Sequence, residues 1–425
     1  MDAVLAVTVF VGAYAFLVAD RVHRTKVALV GAGLVLLLHI SDAEAAFFDE
    51  ESGVEWNVVF LLLGMMVIVS VLRQTGVFEY VAIYAAKRSR GRAYRLMVML
   101  CVLTATASAV LDNVTTVLLV APVTFLVCDR LGLRPVPFLI AEVLASNIGG
   151  AATLVGDPPN IIIASRADLT FNDFLVNMAP WVVVLMVVFC LMCRVLFRTA
   201  FVYDPERADA VMLLDEREAI TDKRLLVTSL IVLAGVVAAF VLHPVLHYEP
   251  SVVALLGAGI LVLVTRVEIS DALSEVEWPT LAFFGGLFIM VGGLVETGVI
   301  EDLSTAMADR TDGDLGLASM VLLFGSAVLS AIVDNIPYVA TMSPVVVGLV
   351  PTMPGNSEAL WWSLAFGADL GGNATAIGAS ANVVMLGLAE KAGHRIGFWE
   401  FTKYGLVVTV VTVGLTAPYI ALRYL

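Results

Sequence analysis

Five acidic residues, Asp112, Glu142, Asp157, Asp334 and Asp369, fall within stretches that are otherwise apolar or are interrupted by glycine and proline, and those stretches carry no Lys or Arg. A carboxylate in hydrocarbon is costly and is a functional group by default. Without a basic partner it must carry a proton or hold a bound cation, and either answer describes proton or sodium handling. Neutral oxygen ligands stand beside the acids. One stretch runs Ser146-Asn147-Ile148-Gly149-Gly150-Ala151-Ala152-Thr153-Leu154-Val155-Gly156-Asp157-Pro158-Pro159-Asn160. A second runs Asp369-Leu370-Gly371-Gly372-Asn373-Ala374-Thr375-Ala376-Ile377-Gly378-Ala379-Ser380-Ala381-Asn382. Proline removes a backbone donor, and Pro158 pushes Asp157 out of the helical region, so the first stretch cannot be one continuous helix. Its freed carbonyls, with Asn, Thr and carboxylate oxygens, are hard ligands suited to a small cation. Asp112-Asn113 and Asp334-Asn335 sit in turns between apolar arms. Asp and Asn also cap turns through their own backbone, so that reading stands beside the functional one.

These stretches are two copies of one unit. Trp56 matches Trp278, Asp112-Asn113 matches Asp334-Asn335, Gly149-Gly150 matches Gly371-Gly372, and Thr153, Gly156 and Asn160 match Thr375, Gly378 and Asn382, always 222 residues apart. An ungapped register of this length marks a duplicated element. Glu142 is the exception among the acids, since its counterpart is Leu364.

Composition sets the medium in which this unit works. Of 425 residues, 60% are hydrophobic and 15% charged, against about 45–50% and 25% in soluble domains. A soluble enzyme is excluded, and a net charge of −14 is the wrong sign for a nucleic-acid binder. The pattern predicts an all-α polytopic membrane protein. The first repeat covers residues 1–200: leading spans within 3–72, a hairpin at 96–128, a broken span at 136–165 and a span at 178–197. A cytoplasmic linker covers 201–224. The second repeat covers 225–425, with leading spans within 225–296, a hairpin at 317–350, a broken span at 359–388 and a span at 403–422. Residues 3–19 read as a retained span, because no basic region or small-residue cleavage site precedes Asp20-Arg21.

Charge orients the repeats. Lys87, Arg88, Arg90, Arg92 and Arg95 follow the span at 56–72, whereas the matching segment after 279–296 carries Glu301, Asp302, Asp309, Asp312 and Asp314. By the positive-inside rule these segments lie on opposite sides. Placing both termini outside an inner (plasma) membrane leaves only Arg166, Arg310 and Arg423 of the basic residues outside. The repeats are then inverted, as in secondary transporters with broken helices. Cys190-x-x-Cys193 lies on a lipid-length span with no His nearby, and reads as inert core thiols. His243 and His247 read as a solvated turn. No phosphate-binding Gly-Lys-Ser/Thr loop is present, although a separate ATPase subunit is not excluded, and no catalytic triad is visible.

Leu111-Asp112-Asn113-Val114-Thr115-Thr116, with Ser146–Thr153 running into Gly156-Asp157-Pro158-Pro159-Asn160, resembles the ion transporter superfamily, in the branch of arsenite permeases, NhaD-type sodium/proton antiporters and P protein. The resemblance implies re-entrant hairpins, broken helices, a homodimerising scaffold and an elevator-type transport domain. In sodium-coupled dicarboxylate relatives a Ser-Asn-Thr motif at each broken helix binds sodium and carboxylates. Here the motifs read Ser146-Asn147-Ile148 and Asp369-Leu370-Gly371. By this likeness Asn113, Asn147, Asn335 and Asn382 are ion ligands. The expectation is a secondary transporter of a small inorganic ion, not an enzyme. It needs no cofactor and moves sodium and/or protons, foremost as a cation/proton antiporter. The alternative is a proton-coupled arsenite or antimonite exporter, and behind it a sodium-coupled dicarboxylate carrier. The expected ion and substrate ligands are Asp112, Asn113, Asn147, Thr153, Asp157, Asn160, Asp334, Asn335, Asp369, Asn373, Thr375, Ser380 and Asn382. The helix-breaking residues are Gly149, Gly150, Gly156, Pro158, Pro159, Gly371, Gly372 and Gly378.

Overall fold

A computed structural model describes residues 2–19, 22–49, 51–202, 204, 212 and 215–425. Part of the linker expected at 201–224 lies outside the described residues. Eighteen described helices of ten or more residues fall into two series of nine. The first is α1 (Asp2–Ala19), α2 (Arg24–Leu37), α3 (Trp56–Arg73), α4 (Val77–Ser89), α5 (Ala93–Ser108), α6 (Asn113–Leu131), α7 (Val136–Gly150), α8 (Pro158–Ala167) and α9 (Ala179–Leu196). The second is α10 (Lys223–Val241), α11 (Pro250–Val264), α12 (Trp278–Glu296), α13 (Val299–Arg310), α14 (Leu315–Ser330), α15 (Asn335–Leu349), α16 (Glu358–Gly371), α17 (Ser380–Lys391) and α18 (Phe398–Tyr424). No strand occurs among the described residues.

Seven of these helices, α1, α3, α6, α9, α10, α12 and α18, are long and apolar enough to cross a bilayer. The fold is that of an all-α, multi-pass membrane protein built from two repeats, each with a helical hairpin and a broken helix. The hairpins are α5–α6 and α14–α15; the broken helices are α7–α8 and α16–α17.

The repeats interlock reciprocally. Helix α2 packs on α12 as α11 packs on α3, and α6 packs on α17 as α15 packs on α8. Such exchanged pairings are what a two-fold relation between equivalent units produces. Small residues draw the first pairs together. A Cβ on Gly64 of α3 would lie 2.6 Å from the Ala254 backbone, and one on Gly286 of α12 would lie 2.8 Å from Ala28. With no hydrophobic drive between helices in lipid, such close backbone approach supplies the packing.

Two sequence expectations change here. The charged segments after α3 and α12, to which the sequence assigns no element, are helices, α4 and α13. Each follows a glycine in the left-handed region, Gly76 (φ 75°) and Gly298 (φ 76°), which turns the chain after the long span. Gly149, Gly150 and Gly371, expected to break helices, are the helical last residues of α7 and α16. The breaks fall at 151–157 and 372–379. These three glycines serve close approach: a Cβ would meet the Ala105 Cα at 2.4 Å from Gly149, and the Ala327 Cα at 2.6 Å from Gly371. Each hairpin is thereby pressed onto its broken helix.

Candidate functional site

The loops that interrupt α7–α8 and α16–α17 lie against the hairpin turns at 109–112 and 331–334. Thr153 Oγ1 donates to Ala109 O at 2.5 Å, and Thr375 Oγ1 to Ala331 O at 2.5 Å. Cβ atoms on Gly156 and Gly378 would meet the carbonyl oxygens of Gly150 and Gly372 at 2.4 and 2.8 Å, so the loops can only close this tightly with glycine there. Asn160 and Asn382 seal them from the second half-helices. Asn160 Nδ2 donates to Thr153 O (3.1 Å) and Gly150 O (3.5 Å). Asn382 Nδ2 donates to Gly372 O (2.8 Å) and Thr375 O (2.9 Å). Pro158 and Pro159 open α8, where a missing N–H leaves nothing unsatisfied. Thr153 and Thr375 hold loop to hairpin, and their hydroxyls are occupied by carbonyls.

Between these loops lies a buried cluster of two acids and six amides. Asp157 accepts from Asn113 Nδ2 at 3.0 Å and from Asn335 Nδ2 at 3.3 Å. Those two asparagines are repeat equivalents at the starts of α6 and α15, so Asp157 is shared by both hairpins. Asn147 Nδ2 donates to Asn373 Oδ1 (2.9 Å) and to Asn382 Oδ1 (3.0 Å), and its Oδ1 accepts from Asn113 (3.3 Å). The cluster therefore ties both hairpins to both broken helices through side chains alone.

Asp369 stands where the second repeat answers Asn147. Both its oxygens are buried without a hydrogen-bond partner. Asn160, near it, turns its Nδ2 to the loop carbonyls, and its Oδ1 also lacks a donor. The equivalent contact, Asn147 to Asn382, is completed by an N–H that an aspartate does not have. Asp369 Oδ1 and Oδ2 and Asn160 Oδ1 are thus three buried acceptors without a donor, and an unsatisfied buried acceptor costs about 1–3 kcal/mol.

The hairpin-tip acids lie outside this cluster. Asp112 caps α6, accepting from Thr115 N (2.8 Å) and Thr115 Oγ1 (2.5 Å). Asp334 caps α15 through Ile336 N at 3.1 Å. The turn-capping reading thus describes their geometry. The expectation that no acid has a basic partner fails for Asp334, which pairs with Arg24 of α2 at 3.4 Å. Ser380, expected as an ion ligand, donates to Asp334 and accepts from Arg24. Arg24 also donates to Thr280 Oγ1 (3.2 Å) and lies 5.4 Å from the centre of the Phe283 ring. A cavity of about 270 Å³ opens here, lined by His23, Arg24, Phe283, Asp334 and Ser380 among others. Arg24 was missed because it lies 310 residues from Asp334 in sequence, on a short span whose first repeat gives no polar motif. Its only signal was a basic residue at the start of an apolar run. Glu142 sits apart, with Oε1 accepting from Thr124 Oγ1 at 2.6 Å and Oε2 unpartnered.

Comparison with known proteins agrees with this architecture. A family model described as citrate transporter (CitMHS) matches residues 14–367. A 46 kDa membrane protein of Mycobacterium leprae is 56% identical over 424 residues, covering 99% of both chains. An uncharacterized transporter of Mycobacterium tuberculosis is 57% identical, covering 99% of this chain and 98% of its own. The human P protein is 34% identical over 97% of this chain, which spans 59% of that protein's length. Among solved structures, the Alcanivorax borkumensis YdaH transporter superposes with a TM-score of 0.64 at 16% identity, covering 94% of this chain and 99% of that one. Neisseria gonorrhoeae MtrF, described as one of a class of antimetabolite efflux pumps, gives 0.63 at 12% identity, covering 92% and 84%. At those identities the likeness is one of fold. A duplicated, all-helical membrane chain with a polar cluster between its broken helices, matched over most of its length by that family model, belongs to the CitMHS citrate transporter family of the ion transporter superfamily, and is a membrane transporter and not an enzyme.

Proposed function

We propose that the chain is a secondary transporter coupled to protons or sodium, exchanging one against the other or against a similar small cation. Asp157 and Asp369 are its coupling acids, and Asn113, Asn147, Asn160, Asn335, Asn373 and Asn382 its neutral ligands. One observation carries this reading: the carboxyl of Asp369 is buried with neither oxygen hydrogen-bonded, in a cluster where Asn160 Oδ1 is unpartnered too. Such a carboxyl is satisfied when a proton or cation occupies it, and emptying it changes the polar contacts between α16 and its neighbours. The hairpins and broken helices, tied together by the cluster, would move as one body against α2, α3, α11 and α12 in an elevator-type step. A homodimer built on those flanking helices in an inner membrane fits the reading, with both termini outside.

A second reading has its own observation. Arg24 supplies a guanidinium beside the 270 Å³ cavity, and the family is described by citrate transport. A carboxylate substrate would compete with Asp334 for Arg24, while the Asp369 site carries the coupling ion. Arsenite efflux asks nothing of Arg24 and has no observation of its own. The test is a panel in proteoliposomes holding a pH-sensitive dye. Sodium, lithium, potassium, arsenite and citrate are added in turn to vesicles with an acid interior. Alkalinisation on adding sodium or lithium supports cation/proton exchange. A response to citrate alone, lost in Arg24→Gln, moves the chain to the second reading, and silence to all five overturns both.

A further inference from the structure

A second pair of cavities lies at the other edge of the first hairpin, and nothing in the transport reading uses it. A surface pocket of about 540 Å³ is rimmed by Arg88, Arg90 and Arg95, with Tyr94, Val98, Met99 and Cys190 completing its wall. Val98 and Cys190 also line a groove of about 510 Å³ that continues along α5 and α9 between Val102, Val183, Val187 and Leu191. The groove ends at Ala109 and Ala152, beside the first hairpin turn and the first helix break. One end of this continuous surface is cationic and the rest is apolar.

The arginines are available. Arg88, Arg90 and Arg95 are exposed, and none has an ion-pair partner among the described residues. Arg194 adds a fourth guanidinium, 5.8 Å from the centre of the Tyr94 ring. Tyr94 is fixed by its hydroxyl, which donates to Cys190 O at 3.0 Å. Helix α5 begins here with no acidic residue in its first turn, so its positive end faces the same place. Below the rim, Val183, Val187 and Leu191 are 63%, 57% and 61% exposed, the signature of side chains that meet lipid.

The geometry points to a binding site for an anionic phospholipid, its phosphate held by Arg88, Arg90 and Arg95 and an acyl chain lying in the groove between α5 and α9. Basic pockets between spans at the membrane surface recognise acidic headgroups by charge, and the apolar groove supplies what a soluble anion would not use. The pseudo-equivalent turn between α13 and α14 carries Asp309, Asp312 and Asp314 around one Arg310, so the site exists on one repeat only. Because the groove reaches the first helix break, a lipid seated there touches the side of the core that must move in transport.

Native mass spectrometry of the purified full-length chain tests this. The lipids are dioleoyl phosphatidylglycerol and the matching phosphatidylcholine. Wild type is expected to retain one phosphatidylglycerol and to bind phosphatidylcholine at least about tenfold more weakly. Arg88→Gln/Arg90→Gln/Arg95→Gln should lose that preference, and the triple Lys variant should keep it, which separates lost charge from lost fold. Val187→Trp, filling the groove, should weaken phosphatidylglycerol without changing the arginines. Equal binding of the two lipids, or a preference that survives the triple Gln variant, overturns the site. Glycerol phosphate, which has the charge and no chain, should fail to compete in large excess; full competition would make this a soluble-anion site and overturn the lipid assignment.

Discussion

Asp369→Asn is the most informative single substitution. Asparagine is nearly isosteric with aspartate, and the equivalent position in the first repeat is Asn147, which donates to Asn382 Oδ1 at 3.0 Å. The variant would bring an N–H donor into a place where Asp369 and Asn160 Oδ1 are unpartnered acceptors, and make permanent what a proton supplies only at times. It removes a buried acceptor conflict of about 1–3 kcal/mol and gains an amide hydrogen bond of about 1 kcal/mol. In sodium-free detergent, wild type should lose thermal stability as pH rises, because removal of the proton leaves a buried carboxylate with neither oxygen hydrogen-bonded. The sign follows from the geometry: stability is present while the proton is bound and is lost on its release. Asp369→Asn should be flat over the same range, and more stable than wild type at its alkaline end by about 1–3 kcal/mol. Added sodium should restore the alkaline wild type and leave the variant unmoved. Coupled flux should disappear in the variant although it folds. Parallel pH curves for the two proteins, or proton-coupled transport by the variant, would refute the reasoning.

Further expectations come from other contacts. Gly149→Ala and Gly371→Ala should each cost about 1–3 kcal/mol in thermal unfolding, because the new Cβ meets backbone at 2.4 and 2.6 Å; Gly235→Ala, with open space around it, should be neutral. Thr153→Val should cost about 1 kcal/mol by loss of its bond to Ala109 O, and Thr375→Val should match it, as repeat equivalents must. Arg24→Gln should raise the KM for a carboxylate substrate if the second reading holds, and leave sodium-driven proton movement in place if the first does. Outside the spans, Lys87 beside Glu216 holds that carboxyl below its ordinary value through a hydrogen bond of 2.5 Å. This tether is present above the ordinary glutamate range and lost as pH falls through the lowered value, so limited proteolysis near 216–219 should accelerate only in acid, and at every pH in Glu216→Gln.

Much of this site could be read from the chain because repetition and medium constrain it so heavily. The 222-residue register matched Asn160 to Asn382 from sequence alone; extended to Asn147, it falls on Asp369, and Asp369 and Asn160 carry the unmatched acceptors. Proline and buried amides in an apolar run announced the breaks. What could not be read depends on long-range approach. Arg24 reaches Asp334 only because α2 packs on α12 of the other repeat, a pairing with no local signature. The hairpin-tip aspartates satisfy the same residue preference whether they cap a helix or hold an ion, and the structure shows the caps, at Thr115 and Ile336. The glycines were read as breakers because their composition is the same in a break and in a tight helix contact; the 2.4 Å approach to Ala105 decides the matter. Helices α4 and α13 are absent from the expected spans and hairpins because their charge masks short helical segments that lie alongside the hairpins.

The most direct measurement is infrared difference spectroscopy on the sodium-free protein, with and without added sodium, comparing wild type with Asp369→Asn and Asp157→Asn. The account predicts a protonated-carboxyl band in wild type that vanishes on adding sodium and is absent from Asp369→Asn from the outset. A wild-type spectrum with no such band and no response to sodium would mean that the Asp369–Asn160 pair holds neither ion, and would contradict the proposed coupling site.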